Sequence, residues 1–194
     1  MSDLDALLTQ VRACQLCTIH LPNPPKPVIR VGLRAKILVV GQAPSTRVHA
    51  TGLPWNDASG KRLRSWLQIE PEIFYDTRYL SIMPMGLCYP GKGKSGDLPP
   101  RPECAPLWHP QVLVELPQIQ LKLLIGQYAQ RYYLGKNGYK TLTDNVKHWA
   151  DFMPDCLPLP HPSPRNQLWF KRNPWFEQEV VPVLRQRVTQ LIVL

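Results

Sequence analysis

The chain has 194 residues, enough for one domain with a hydrophobic core and few for two, so we expect a single domain over residues 1–194. A hydrophobic content of 44% excludes a disordered chain, and no apolar run is long enough to span a membrane. The 23 basic residues exceed the 14 acidic ones, and the net charge of +9 favours a polyanionic partner, although a solvated basic surface explains it equally well.

The first residues of the chain include early acids and no basic segment followed by an apolar stretch. This pattern is not that of a signal peptide, so we expect a cytoplasmic protein.

Apolar spacing predicts helices that alternate with strands. The predicted helices are 3–13, 57–69, 104–116, 127–135, 141–149 and 173–194, and the predicted strands are 36–40, 78–85, 119–126 and a short one that feeds residue 157. This alternation predicts an α/β fold with a mainly parallel sheet and helices on both faces. Because loops at the carboxyl ends of such strands meet at one edge, we expect the loops GQAPS and HPSPRN to lie together there.

The stretch LPLPHPSPRN, residues 157–166, holds four prolines together with His161 and Arg165. Proline lacks the N–H group and fixes φ, so we expect neither helix nor strand over these ten residues. An ordinary turn with a surface histidine explains the pattern, and so does a rigid loop that presents His161 for chemistry.

The cysteines form a second pattern. Cys14 and Cys17 have the C-x-x-C spacing of two thiolates on one metal centre, and Cys88 and Cys104 sit in or beside a Pro/Gly loop with fifteen residues between them. Four such thiolates hold a tetrahedral zinc or an iron–sulfur cluster, and spacing does not separate the two. A redox pair, or four small buried side chains without metal, are the alternatives.

Together, the loop GQAPS after a buried strand, the segment TGLPWNDASGKRLRSWL, the loop HPSPRN and the four cysteines resemble the uracil-DNA glycosylase superfamily. The cysteines are similar, in order and approximate spacing, to the ligands of its bacterial and archaeal iron–sulfur branch. The resemblance implies a three-layer sandwich with a central four-stranded parallel sheet, a [4Fe–4S] cluster of structural type, with zinc as the alternative, and a pocket for an extruded base.

The resemblance also implies roles for individual residues. Trp55 falls where the family has a phenylalanine that stacks on uracil, and His161 falls on the histidine that donates a hydrogen bond to uracil O2. The residues implied in the first loop, beside the scissile sugar, are Gly41, Gln42, Ala43 and Pro44. The residues implied in the loop pressed against DNA are Pro162, Ser163, Pro164 and Arg165.

Positions in the first loop and in the second predicted strand depart from the family pattern, and Ser45 stands where a glycine commonly closes the first loop. The iron–sulfur branch has a glutamate where this chain has Gln42, and a glutamine orients a water molecule without taking its proton. Pro84 stands where the superfamily usually has an asparagine that reads uracil N3 and O4. Asp57 is a candidate to activate the water, although an N-cap of the following helix explains it too, and His49 is a candidate second donor.

We therefore expect a DNA glycosylase that hydrolyses the N-glycosidic bond of uracil or a related damaged base by base flipping. The sequence gives no reason to assign any of its lysines to a Schiff base. A DNA-binding protein that has lost catalysis on the same fold is the alternative, and a metal-stabilised domain with some other partner is a third. We expect a monomer that binds DNA and no membrane.

Overall fold

The computed structural model describes residues 3–94 and 96–192. Its helices are α1 Asp3–Arg12, α2 Thr46–Thr51, α3 Ala58–Leu67, α4 Pro71–Phe74, α5 Cys104–Val114, α6 Gln127–Leu134, α7 Leu142–Lys147, α8 Gln167–Arg172 and α9 Val181–Leu191. Its strands are β1 Ile37–Val40, β2 Leu80–Ile82, β3 Lys92–Gly93, β4 Gly96–Asp97, β5 Leu121–Ile125 and β6 Cys156–Leu159. Among these described residues, no helix is both long and apolar enough to cross a membrane.

Four strands form a parallel sheet in the order β2–β1–β5–β6, and β3 and β4 form a separate small hairpin. Ile37 of β1 pairs with Leu80 of β2 and with Leu121 of β5, while Leu124 of β5 pairs with Pro158 of β6. The loops after β1, β2 and β6 therefore leave the sheet at the same edge. The two outer strands, β2 and β6, bound this edge on either side.

The sheet is the middle of three layers. Successive side chains of β1 point to opposite faces: Ile37 and Val39 pack in a core with α3 and α9, and Leu38 and Val40 pack in a core with α1, α5 and α6. All four residues of β1 are fully buried. The predicted α/β sandwich with a four-stranded parallel sheet and helices on both faces is confirmed.

The proline-rich segment begins inside the sheet. The prediction of neither helix nor strand over residues 157–166 is wrong for Leu157, Pro158 and Leu159, which belong to β6, and for Pro164–Asn166, which form a short 3₁₀ helix. The carbonyl of Leu159 accepts a hydrogen bond from Gly126 N at 2.9 Å, so the neighbouring Pro158 faces the outer side of this edge strand. On that side the missing N–H removes no bond between strands.

The short helices α2, α4 and α8 and the hairpin of β3 and β4 are further elements that the sequence did not predict. Helix α2 follows the first loop directly, capped by Ser45, whose Oγ accepts from Val48 N at 3.4 Å. The helix predicted from residue 173 begins with a π-helical turn, Phe176–Val180, before α9. Its predicted last two residues, 193 and 194, lie outside the described part of the chain.

A buried amide network joins the ends of β5 and β6. Gln130 of α6 is 1% exposed, and its Nε2 donates to the carbonyl oxygens of Leu159 at 3.0 Å and Leu124 at 3.3 Å. Its Oε1 accepts from Asn145 Nδ2 at 3.1 Å, and Asn145 Oδ1 accepts from Tyr139 N at 2.6 Å. Because these amide atoms have partners, the network stabilises the point at which the chain leaves β6.

Candidate active site

A cavity of about 490 Å³ opens at the carboxyl edge of the sheet. Its walls come from the loops after β1, β2 and β6 and from the segment between α2 and α3. It brings together these residues singled out from the sequence: Gly41, Gln42, Ala43, Pro44, Trp55, Asp57, Pro84, His161, Ser163 and Arg165. The predicted meeting of the GQAPS and HPSPRN loops is therefore observed, and the cavity volume is typical of small-molecule sites.

Trp55 is held in an unusual backbone conformation. Its φ is 57°, the left-handed region that side-chain-bearing residues rarely adopt. Its carbonyl oxygen accepts from Arg64 Nη1 at 3.1 Å and from the Tyr75 hydroxyl at 3.2 Å. A side chain at Gly60 would collide with this same carbonyl, so glycine is required there. These contacts fix where the indole ring stands.

The indole ring of Trp55 lies between two parts of the cavity wall. A Cβ atom at Gly41 would come within 2.7 Å of the ring, so the first loop approaches the indole as closely as only glycine permits. On another side, the ring centroid lies 5.6 Å from that of His161, with the planes inclined by 33°. The ring is thus placed to offer a flat apolar surface beside the histidine.

His161 is fixed by its own loop. Ser163 N donates to His161 Nδ1 at 3.2 Å, so the proton of the neutral imidazole resides on Nε2. The His161 carbonyl accepts from Asn166 Nδ2 at 2.8 Å, which ties the loop to the turn before α8. Burial lowers the pKa of His161 below 6.5, and the negative charge of Asp57 opposes this shift without reversing it. At neutral pH the ring is therefore an uncharged Nε2–H donor.

Asp57 serves as the predicted N-cap and also lines the cavity. One carboxylate oxygen, Oδ1, accepts from Gly60 N at 2.9 Å at the start of α3. A carboxylate has a second oxygen, so capping does not use up its capacity to accept hydrogen bonds. The capping role is therefore observed, and the role in chemistry stays a prediction.

The first loop is tied to the segment that follows β2. The carbonyls of Gly41 and Gln42 accept from Met85 N and Gly86 N, both at 2.9 Å. The Gln42 side chain lines the cavity, and its Nε2 donates to the Leu98 carbonyl at 3.4 Å. Its amide oxygen is a hydrogen-bond acceptor but not a base.

The far wall of the cavity is apolar and comes from Val28, Ile82 and Pro84. Pro84 has no N–H, and its carbonyl oxygen accepts from Nε2 of the fully buried His109 at 3.1 Å. His109 Nδ1 then accepts from the Tyr133 hydroxyl at 2.7 Å, and burial lowers the pKa of His109 to about 4. Pro84 thus presents no hydrogen-bond donor to the cavity, and its carbonyl is already engaged.

Three of the residues that the sequence predicted around the base, His49, Pro162 and Pro164, do not line this cavity. His49 of α2 is not among the lining residues; its ring packs against Tyr89, with centroids 6.0 Å apart. The structure therefore gives no support to His49 as a second donor, because its side chain does not line the cavity. Pro164 contributes to a neighbouring groove rather than to the cavity.

Three positioning residues were missed by the sequence reasoning. Arg64 and Tyr75 hold the Trp55 carbonyl, and Asn166 holds the carbonyl of His161. Arg64 and Tyr75 lie nine and twenty residues after Trp55, and no local pattern connects them to it. Asn166 had a local signal, because an asparagine that closes a proline-rich turn commonly bonds to nearby backbone.

The four predicted cysteines, Cys14, Cys17, Cys88 and Cys104, surround one small cavity of about 20 Å³, while Cys156 lies apart in β6. All five are free thiols. Burial raises the pKa of Cys88 to about 11 and that of Cys104 to about 12, so both are protonated at neutral pH when no metal binds them.

The chemistry of this donor set suits a thiolate-bound centre. Four sulfurs face one cavity, and Leu87 N donates to Cys104 Sγ at 3.3 Å, a bond that stabilises a thiolate. As the side chains stand in residues 3–94 and 96–192, no three or more His, Cys, Asp or Glu residues are placed to hold a metal ion. The geometry thus shows the thiols together without defining the metal.

One comparison with known proteins identifies the family. The family model of the Uracil DNA glycosylase superfamily matches residues 30–185. The chain belongs to this superfamily. The matched range contains the parallel sheet, the first loop, Trp55 and His161, and membership in the Uracil DNA glycosylase superfamily indicates a DNA glycosylase. Cys14 and Cys17 precede the matched range, so the match does not bear on the iron–sulfur branch.

The surroundings of His161 predict how its ring titrates. We expect its pKa below 6.5, and we expect Asp57→Asn to lower it further, because the variant removes a negative charge that favours the imidazolium. Asparagine still caps α3. The measurement is an NMR titration of the ring resonances, with Asp155→Asn, which removes an exposed carboxylate, as the control. An unchanged or higher pKa in the Asp57 variant would contradict the geometry.

Proposed function

We propose that this member of the Uracil DNA glycosylase superfamily hydrolyses the N-glycosidic bond of uracil or a related damaged base that is flipped out of DNA into the cavity. The observation that carries the proposal is His161, a neutral donor locked on its loop beside the Trp55 ring. A flipped base is recognised by stacking on an aromatic face and by hydrogen bonds to its edge, and these two residues supply both.

The reaction breaks the bond between the sugar and the base, and negative charge develops on the departing base. A hydrogen bond from His161 Nε2–H to a carbonyl oxygen of the base is stronger in the transition state than in the ground state, which is the condition for catalysis. A neutral imidazole suits this role, because burial keeps the ring uncharged without removing its donor. The fixed loop means that no side chain reorganises as the charge forms.

A water molecule must then attack the positively charged sugar. Asp57 has the negative charge to stabilise that sugar and one oxygen beyond the cap to accept the proton of the water. Gln42 can orient the water through its amide oxygen. No lysine is among the residues that line the cavity, as far as the structure describes them, so we propose hydrolysis by water rather than through a Schiff base.

The apolar wall bears on which bases fit. His161 follows β6 and Pro84 follows β2, the two outer strands, and both residues line the cavity. A base held by His161 meets Val28, Ile82 and Pro84 on its other side. Because this wall has no donor, we propose that the enzyme does not discriminate strongly among bases that differ at that edge.

The second candidate function is DNA binding without chemistry. Gln42 in place of a carboxylate and the engaged carbonyl of Pro84 favour it. The two functions make opposite predictions for base excision.

The test of the proposed function is release of a damaged base. Oligonucleotides with one uracil, hypoxanthine or oxidised pyrimidine are incubated with the protein, and alkali then cleaves any abasic site. We expect excision of at least one of these bases, and a loss of about 10²–10³-fold in rate with His161→Ala, because one donor to the leaving base is removed.

The matched control for this variant is His148→Ala, since His148 is exposed and stacks on Tyr139 outside the cavity. The His148→Ala protein should excise the base at the rate of the native protein. Absence of cleavage of every substrate by native protein that still binds the DNA would establish the second candidate function instead.

Asp57→Asn tests the water-activating carboxylate separately from the helix cap. The variant keeps a capping side chain but loses the charge and the base, so we expect near-complete loss of excision with little change in the free energy of unfolding or in DNA affinity. Urea unfolding, anisotropy and single-turnover cleavage measure the three quantities. Turnover that survives in a folded Asp57→Asn protein would remove this residue from the mechanism.

We also propose that Cys14, Cys17, Cys88 and Cys104 hold a [4Fe–4S] cluster of structural type, with zinc as the alternative. The support is the meeting of the four thiols at one cavity and the N–H donor to Cys104. A cluster there would link the end of α1 to the start of α5 and to the loop after β2, outside the base pocket.

Elemental analysis and absorbance of protein purified without oxygen test this assignment. We expect iron, sulfide and a brown colour in the native protein and the loss of all three in Cys14→Ser. The Cys156→Ser variant, which changes the cysteine that lies apart, should retain all three. Zinc without iron would select the alternative metal. Equal metal content in the two variants would show that the four cysteines are not the ligands.

A further inference from the structure

A second groove of about 560 Å³ lies on the surface between α3 and α9. Its walls include Lys61, Arg62 and Ser65 from α3, Pro164 from the histidine loop, and Glu177 and Arg185 from the closing helical segment. It is separate from the base cavity and has no part in the chemistry described above.

The groove and the base cavity share a rim. Ala58 lines the groove and follows Asp57, which lines the cavity. Pro164 lines the groove and follows Ser163, which again lines the cavity. Because consecutive residues stand only about 3.8 Å apart, a polymer that places one unit in the cavity has its next units at the mouth of the groove.

The charge of the groove is positive. Three basic residues line the groove: Lys61, Arg62 and Arg185. Glu177 is the one acidic residue among the described lining residues. Arg185 is held in place, since its Nε and Nη2 donate to the carbonyls of Trp66 and Ser65 at 3.2 and 3.1 Å. Such a groove favours an anionic polymer.

Arg62 supplies a specific reason to expect an anion. Its guanidinium lies over the Phe170 ring, with Cζ 5.0 Å from the centroid. Its Nη1 is shielded from solvent and has no hydrogen-bond partner among the described residues. A planar guanidinium held by an aromatic ring, with donors unused, is suited to a phosphate oxygen.

We propose that this groove binds the sugar-phosphate backbone on one side of the flipped nucleotide, so that Lys61 and Arg62 contact phosphates next to the one whose base enters the cavity. The inference rests on the proposed function, since it takes DNA as the polymer. The groove then extends the DNA contact beyond the histidine loop along α3.

The experiment measures affinity against salt. Fluorescence anisotropy follows native protein and the Lys61→Gln/Arg62→Gln double variant on single-stranded oligonucleotides with one non-cleavable abasic analogue, over a tenfold range of salt. One oligonucleotide extends only to the 5′ side of the analogue and another only to the 3′ side. The control double variant, Arg34→Gln/Lys136→Gln, removes the same charge from exposed positions, of which Arg34 precedes β1 at the opposite edge of the sheet.

We expect the slope of log affinity against log salt to become shallower by about 0.7 for each phosphate that the groove variant no longer binds, on one of the two oligonucleotides only. For one phosphate this is about a fivefold loss of affinity at 0.1 M salt relative to 1 M. The control keeps the native slope on both. Arg62→Lys, which retains the charge, keeps most of the slope and shows that the loss is not one of folding.

Equal slopes for the groove variant and the control variant would overturn the inference. Equal affinity of native protein for the 5′-extended and 3′-extended oligonucleotides would overturn it too. Displacement of the oligonucleotide by inorganic phosphate beyond the effect of ionic strength would also overturn it, because the groove would then be an anion site of its own. If the groove variant has a shallower slope but native protein excises no base, the proposed chemistry is refuted and the proposed DNA contact in the groove is supported. If native protein excises a base but the groove variant keeps the native slope, the proposed chemistry is supported and the DNA contact in the groove is refuted.

Discussion

The Gln130 side chain is the fixed point on which the position of the histidine loop depends. Its amide, buried almost completely, bonds to the carbonyls of Leu124 in β5 and of Leu159, the last residue of β6, so the two strands cannot move apart there without leaving buried polar atoms unpaired. Only one residue separates Leu159 from His161. The loop therefore departs from a rigid base, and the bond from Asn166 to the His161 carbonyl closes it at the other side.

Trp55 depends on a different kind of constraint. Its left-handed backbone is unfavourable in isolation, and the hydrogen bonds from Arg64 and Tyr75 to its carbonyl offset that cost. Gly41 and Gly60 contribute by lacking a side chain. The indole and the imidazole thus reach their relative position through two independent supports, and a base that enters meets surfaces that are already in place.

The polar and apolar halves of the cavity follow from the strand order. The histidine loop follows one outer strand and Pro84 follows the other, and both line the cavity. The His109–Tyr133 pair behind Pro84 supports this apolar part of the wall, because the Pro84 carbonyl accepts from His109 Nε2.

Local patterns in the sequence predicted the four strands of the parallel sheet, most helices and the Asp57 cap, since periodicity and capping act over a few residues. The rule that parallel strands end at one edge predicted the meeting of the two loops. The position of Pro158 in β6 could not be predicted, because only the sheet order shows that β6 is an outer strand. The contact of His109 with Pro84 spans 25 residues and the bonds to the Trp55 carbonyl up to 20, and such pairings arise from packing rather than from local pattern.

The proline in β6 has a consequence for the protein outside the reaction. An outer strand exposes a row of backbone donors and acceptors that can pair with a strand of another chain and begin aggregation. Pro158 faces the outer side of β6 and has no N–H to offer, so the row is interrupted in the middle of a four-residue strand. The edge next to the HPSPRN loop is therefore less able to extend the sheet into another chain.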